Sequence, residues 1–125
     1  MTQEEKDLLL KDLCSRLPYG VKMNHIADDK HQPDILIGIA KDMITLQGPG
    51  GYECVPVEHY KPYLFPISSM TAEQRKECKS LMIRDSYGIL YHTIESFDYL
   101  YKNHIDVRGL IPKGLANDAT GLNIY

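Results

Sequence analysis

The residues best suited to chemistry in this chain fall in three places. Tyr60, Tyr63 and Phe65 sit together beside Lys61, and aromatic rings next to a cation can stack a base or a nicotinamide-type ring while the cation meets phosphate. Stripes of tyrosine and phenylalanine also build cores and interfaces, which is the plainer use of the same residues. The run Gly48-Pro49-Gly50-Gly51 can cradle a phosphate on backbone N–H groups, as glycine-rich nests do. It lacks the Gly-Lys-Ser or Gly-Lys-Thr ending of a P-loop, so a hairpin turn is its simpler reading. Arg108 and Lys113, in a glycine-rich tail, are a second pair of candidate phosphate contacts.

Other constellations are weaker. Cys54 and His59 are the minimal nucleophile and base couple, but Cys54 alternates with Glu53 and Val55 in a strand-like run, where a free cysteine commonly serves as a small buried hydrophobe. Asp28, Asp29, His31 and Asp34 crowd hard ligands into one stretch, yet without the spacing of a calcium loop, and a solvated hairpin turn accounts for them better. His92 and Glu95 are spaced to share a helix face. Two ligands do not make a metal site, and a capping contact is the expectation there. No Gly-x-Ser-x-Gly elbow, His-Glu-x-x-His helix or Gly-x-Gly-x-x-Gly fingerprint occurs. Nothing in the chain therefore assembles a catalytic set, and the expectation is a protein that is not an enzyme and needs no cofactor or metal.

Composition narrows the partners. With 14 basic and 17 acidic residues the net charge is -3, so the overall field does not draw the chain to phosphate backbones and nucleic acid is a disfavoured partner. Cys14, Cys54 and Cys78 are odd in number and widely spaced, which reads as reduced thiols rather than a disulfide framework or a structural zinc site. No apolar run is long enough to cross a bilayer, and the charged residues after Met1 do not suit a secretory signal, so a cytoplasmic protein without a membrane partner is expected. At 125 residues the chain fits one compact domain, 1–125.

The elements that must position these residues follow from periodicity. Thr2 and Glu5 make a capping box opening a helix over residues 3 to 17, with Leu9, Leu10, Leu13, Cys14 and Leu17 as its apolar stripe and Glu4, Lys6, Asp7, Lys11 and Asp12 on its wet face. Residues 21 to 65 change to short β-rich runs at 21–26, 35–40, 43–47 and 52–57, with a single 3₁₀ turn over 58–62 before a fifth strand at 63–65. Hairpin-type connections make the sheet antiparallel. Apolar residues on both faces of 35–40 predict a central, bent strand with Gly38 at the bend and its outer face covered by the first helix. The C-terminal part, 71–125, is helical: Thr71 and Gln74 cap a helix over 72–84, stopped by Asp85-Ser86-Tyr87-Gly88. After a brief strand at 89–92, Thr93 or Ser96 caps another helix, which ends between Asn103 and Asp106. The expected fold is α+β: a small antiparallel SH3-like or Sm-like barrel with an N-terminal helix and C-terminal helices. The tail keeps Leu122, Ile124 and Tyr125, an apolar set that packs on its own barrel or on a neighbour, and a homo-oligomer is favoured.

Three strings carry a resemblance: Lys11-Asp12-Leu13-Cys14-Ser15-Arg16-Leu17-Pro18-Tyr19-Gly20-Val21, Lys61-Pro62-Tyr63-Leu64-Phe65-Pro66-Ile67-Ser68-Ser69-Met70-Thr71, and Glu95-Ser96-Phe97-Asp98-Tyr99-Leu100 through Arg108-Gly109-Leu110-Ile111. Over most of its length outside residues 24 to 58 the chain resembles a group of short uncharacterised proteins of gut anaerobic bacteria, their phages and their mobile elements. That group usually has arginine and methionine where this chain has Phe65 and Ile67, and tryptophan where it has Tyr99. It has no assigned catalytic residues, so no site transfers. The resemblance implies a setting in which small proteins are often non-enzymatic binders, some of them blocking host defence by sequestering nucleotide-derived signals. The sequence reading is therefore a non-catalytic binder of a phosphate-bearing small molecule, with an Sm-like nucleic-acid-binding module or a protein–protein adaptor as the alternative.

Overall fold

The computed structural model describes residues 1–27 and 32–125. Helix α1 spans Gln3–Arg16, and its capping box is formed: the Thr2 hydroxyl accepts from Glu5 N at 3.1 Å while the Glu5 carboxylate accepts from Thr2 N at 2.9 Å. A 3₁₀ turn at Leu17–Tyr19 and Gly20, at φ +65°, turn the chain into strand β1, Lys22–His25. Strands β2 (Asp34–Ala40), β3 (Met43–Gly48) and β4 (Gly51–Pro56) continue as an antiparallel meander. A second 3₁₀ turn, Val57–His59, leads into β5, Tyr60–Leu64, which returns to pair antiparallel with β1.

The fold is thus α+β, with an N-terminal helix and a mostly antiparallel sheet. That sheet is open: β4-β3-β2-β1-β5 is extended by a last strand, β8 (Asn117–Asp118), with β4 and β8 unpaired with each other among the described residues. Strand β8 comes from the tail and runs parallel to β5, a sixth strand that periodicity did not predict because two residues carry no pattern.

Strand β2 departs from expectation. A register shift between Leu36 and Gly38 bulges the strand at Ile37, which supplies the bend. Only Leu36 is fully buried, while Ile35 and Ile37 stay exposed. Helix α1 instead places Leu9 and Leu13 in the core cluster with Val21, Met23, Leu36, Ile44 and Leu46.

Past β5 and a 3₁₀ turn at Ile67–Ser69, helix α2 (Ala72–Ser80) opens on the expected Thr71 and Gln74 box but ends early. Residues Ile83–Arg84 leave it as β6, pairing with β7, Leu90–Tyr91. The segment expected to stop a helix is the turn of this hairpin: Asp85 Oδ1 accepts from Tyr87 N and Ile89 N, both at 2.9 Å, and Gly88 takes φ +82°. Helix α3, Ile94–Lys102, is capped by Thr93 with Ser96 as reciprocal partner. A second apolar cluster of Cys78, Leu100 and Ile105, with Phe65 and Met70 packed on it, joins this helical part to the end of β5. No helix among the described residues is long and apolar enough to cross a membrane.

The tail packs on its own chain. The Tyr125 hydroxyl accepts from Lys22 N and donates to Tyr63 O, both at 2.8 Å, so one side chain clips β1 to β5. Removing that hydroxyl with Tyr125→Phe leaves the Lys22 N–H unpaired, and a loss of about 1–2 kcal/mol in urea unfolding is the expected result. Wild-type stability in this variant would show that water replaces the bond at no cost.

Candidate ligand-binding site

The most unusual burial in the molecule is ionic. Asp12 and Arg16, one turn apart on α1, have no exposed surface, although Asp12 belongs by charge to the wet face of that helix. The pair is bidentate: Arg16 Nε donates to Asp12 Oδ2 at 2.6 Å and Arg16 Nη2 to Oδ1 at 3.2 Å, with a further bond from Nη2 to Ile105 O at 2.7 Å. Arg16 Nη1 has no partner among the described residues. The Arg16 guanidinium also lies over the Tyr101 ring of α3, at 5.0 Å from its centroid.

Arg108 approaches the same pair from the loop after α3. Its Nη1 donates to the Tyr101 hydroxyl at 2.9 Å and lies 3.7 Å from Asp12 Oδ1. The loop is held by Asp106, whose buried carboxylate accepts from Leu110 N at 2.8 Å and Ile111 N at 2.9 Å. Two guanidiniums therefore share one carboxylate, Arg16 taking both of its oxygens. Arg108 shares Asp12 with Arg16, and 22% of its side-chain surface stays exposed.

That exposed part lines a cavity of about 630 Å³ whose other walls include Ser15, Ile94, Phe97, Asp98 and Tyr101. Ile94 is 85% exposed and Phe97 38%, large apolar side chains left beside a cation. Phe97 stacks on His92 on one side (4.6 Å between centroids, 29° between planes) and faces Tyr101 on the other at 6.5 Å, giving a row of rings along α3. The Asp98 carboxylate accepts a hydrogen bond from the Tyr19 hydroxyl, and that bond, with burial and the Asp98 charge, raises the phenol above its usual range.

The sequence-derived candidates do not meet at one site. Arg108 lies in the cavity just described; Lys113 is exposed and does not line it. Tyr60 is part of the main apolar core, its ring edge-on to His25 at 5.2 Å, and burial is the first cause of its raised phenol pKa. Tyr63 is equally buried, its hydroxyl accepting from Asn24 Nδ2 at 3.0 Å. Lys61 is half-buried opposite Asn24 in the sheet. Phe65 packs on Tyr125 at 5.9 Å and borders a separate cavity of about 490 Å³ shared with His104.

Gly48, Gly50 and Gly51 form the β3–β4 hairpin tip, where a cavity of about 320 Å³ also takes in Asp34 and Glu53. Among the described residues no lysine or arginine lines it, so the local field opposes a phosphate. A Cβ on Gly48 would collide with Asp34 Oδ1, so the glycine leaves room for that carboxylate.

Cys54 is exposed on β4 rather than buried, and among the described residues no hydrogen bond links it to His59. Cys14 is exposed too, off the apolar stripe of α1; Cys78 is buried, which raises its thiol pKa. Asp28, Asp29 and His31 lie outside the described residues, and among those described no group of three metal-ligating side chains gathers. Glu95 is exposed, while His92 Nδ1 lies 3.0 Å from Ser96 Oγ at the start of α3, a capping-type contact.

The residues around this cavity that were not singled out from sequence are Asp12, Arg16, Phe97 and Tyr101. The sequence carries one signal for the first two: positions 9, 12, 13 and 16 share the inward stripe at spacings of three and four. Comparison with known proteins gives no matching family model, no matching curated protein and no matching solved structure.

Proposed function

We propose that this chain is a non-catalytic binding protein whose ligand joins a planar ring to a phosphate or comparable anion, held in the Arg108 cavity. The observation that carries the reading is the surplus guanidinium. Arg16 and Arg108 share the single Asp12 carboxylate, so Arg108 brings a cation that Asp12 only partly offsets to the cavity wall, beside the part-exposed Phe97 ring. Asp98, a carboxylate on the same wall that accepts from Tyr19, opposes an anion beside it and suits a ligand hydroxyl or amine, so the anion belongs at Arg108.

The resemblance to mobile-element proteins makes a nucleotide-derived signal the ligand to test first and sequestration the role. An SH3-like or Sm-like scaffold fits this reading, supported by a four-stranded meander and a 3₁₀ turn into a fifth strand that pairs with the first. Self-association belongs to the proposal as well. With Tyr125 engaged inside the chain, Leu122 and the β6–β7 hairpin, where Ile83, Ile89 and Tyr91 are each at least half exposed, are the apolar surface open to a second copy. A monomer by light scattering at micromolar concentration would count against it.

Calorimetry across mono-, di- and cyclic nucleotides tests the binding. Arg108→Ala is expected to weaken binding by about ten-fold or more, and Lys113→Ala to leave it unchanged. Heat denaturation of the complex should return the ligand chemically intact; recovery of a product would make the protein an enzyme. No heat with any nucleotide would end the small-molecule reading and leave a nucleic-acid or protein partner.

A further inference from the structure

We propose that the groove between α2 and α3 docks a short acidic peptide segment of a protein partner, apolar anchors down and carboxylates on the rim. The groove encloses about 670 Å³, with Met70, Met82 and Leu100 on its floor. Its rim is cationic. Arg75, Lys76 and Lys79 line it from α2, all three exposed, and no aspartate or glutamate lines it among the described residues.

This concentration is local, because the chain as a whole is acidic at net charge -3. The helical period accounts for it: positions 75, 76 and 79 project to one side of α2, while Glu73 and Glu77 project to another. The negative charge of Glu77 acts on Tyr99, which does not line the groove and whose phenol is raised by burial first and by this charge second. Neither Lys76 nor Lys79 has an ion-pair partner among the described residues, and Arg75 reaches only the Ser68 carbonyl, at 3.4 Å.

The floor and rim together select the occupant. Thioether side chains adapt to varied apolar shapes, as in surfaces that accept helical peptides, and Ile67, 55% exposed, extends the apolar strip at one end. A nucleotide is a poorer match: His92 is the one aromatic ring lining the groove among the described residues, and it stacks on Phe97. Flexible lysines around a methionine floor match a segment in which leucine-type anchors alternate with acidic residues.

The test uses the full chain and fluorescence anisotropy. The probe is a labelled peptide of about twelve residues with two leucines four positions apart among aspartates and glutamates. Saturable binding is expected, weakened about ten-fold when both leucines become serine and about ten-fold or more by Lys76→Glu with Lys79→Glu. That charge-reversed protein should gain binding to the peptide whose acids are replaced by lysine. Both lysines are exposed, and Lys76→Gln with Lys79→Gln, expected to lose affinity for the acidic peptide without gaining it for the basic one, provides the check if the reversal unfolds the chain. Equal binding of the leucine and serine peptides, or no saturation, overturns the proposal. So does co-sedimentation with phosphatidylserine vesicles in the absence of peptide binding, which would assign this face to an anionic membrane.

Discussion

Asp12→Ala is expected to lower stability by about 3–5 kcal/mol, a large share of the roughly 5–15 kcal/mol that holds a domain of this size. The reason is the charge left behind. Arg16 has no exposed surface, and without Asp12 its guanidinium keeps only the Ile105 carbonyl, at 2.7 Å, and the Tyr101 ring. Arg108, 3.7 Å from Asp12, then faces Arg16 across the place where the carboxylate was. The double variant Asp12→Ala with Arg16→Met removes both charges and fills the site with apolar volume, so it should be markedly more stable than the single variant. Urea unfolding of the single and double variants checks this, and a double variant as unstable as the single would show that shape rather than charge is what the pair supplies. Because Asp12 also anchors Arg108, the single variant is expected to lose ligand affinity even below its melting temperature.

The elements were legible where the chain writes a pattern. Both capping boxes at Thr2 and Thr71 form, and the β-rich runs become β1 to β5 with ends within about three residues of expectation, because turn residues such as Gly20 and Gly51, both at positive φ, mark them. Short elements were legible only in part. The brief strand expected at 89–92 forms as β7, but its partner β6 and strand β8 have two residues each, too few to alternate, and the end of α2 was misjudged because Cys78, Leu81 and Met82 keep an apolar helical spacing that the Asp85 turn overrides. The open sheet also differs from a closed barrel, since closure depends on strand length and curvature rather than on pattern.

The site was less legible for a physical reason. Charge is read as solvent-facing by default, which placed Asp12 in water, but a bidentate aspartate–arginine pair that also meets a carbonyl and a ring can be buried. Aromatic residues were sought where they cluster in sequence, at Tyr60, Tyr63 and Phe65. On a strand such neighbours divide between the faces or sink into the core, whereas on α3 a spacing of four aligns Phe97 with Tyr101 on one wall. Arg108 was a candidate from its place in the glycine-rich tail, and what distinguishes it from other exposed charges is Asp12, ninety-six positions earlier, at 3.7 Å.

Acidification from pH 7 to about 4.5 is expected to destabilise the protein through His104. This residue occupies the position after the α3 C-cap where glycine is usual, at φ +60°. The surrounding bonds, His104 N to Tyr101 O at 3.0 Å and Ile105 N to Leu100 O at 2.9 Å, form a Schellman closure. A glycine would make that turn without strain, so the imidazole is held there by what it touches. Its ring stacks on Tyr125 at 3.6 Å and 13°, and its buried Nδ1 has no partner among the described residues.

Burial first, then the positive charges of Arg16 and Lys22, lower its pKa from 6.5 to about 4. The folded state therefore keeps the ring neutral while the unfolded chain takes up the proton. Stability from this group is complete above pH 6.5 and is lost as pH falls from there toward 4, by about 2 kcal/mol once solvent screening of a part-exposed ring is allowed for. His104→Asn retains a side chain that tolerates the left-handed conformation and removes the titration. Its stability should start lower at pH 7, for want of the stacked ring, and fall less steeply than wild type between pH 6.5 and 4.5. Parallel urea midpoints across that range would show that His104 does not carry the acid sensitivity; Glu58, bound to Lys6 at 3.0 Å, and Asp85 in its turn sit below their usual pKa values of 4.5 and 3.8, so the stability they supply is lost only at lower pH, outside that window.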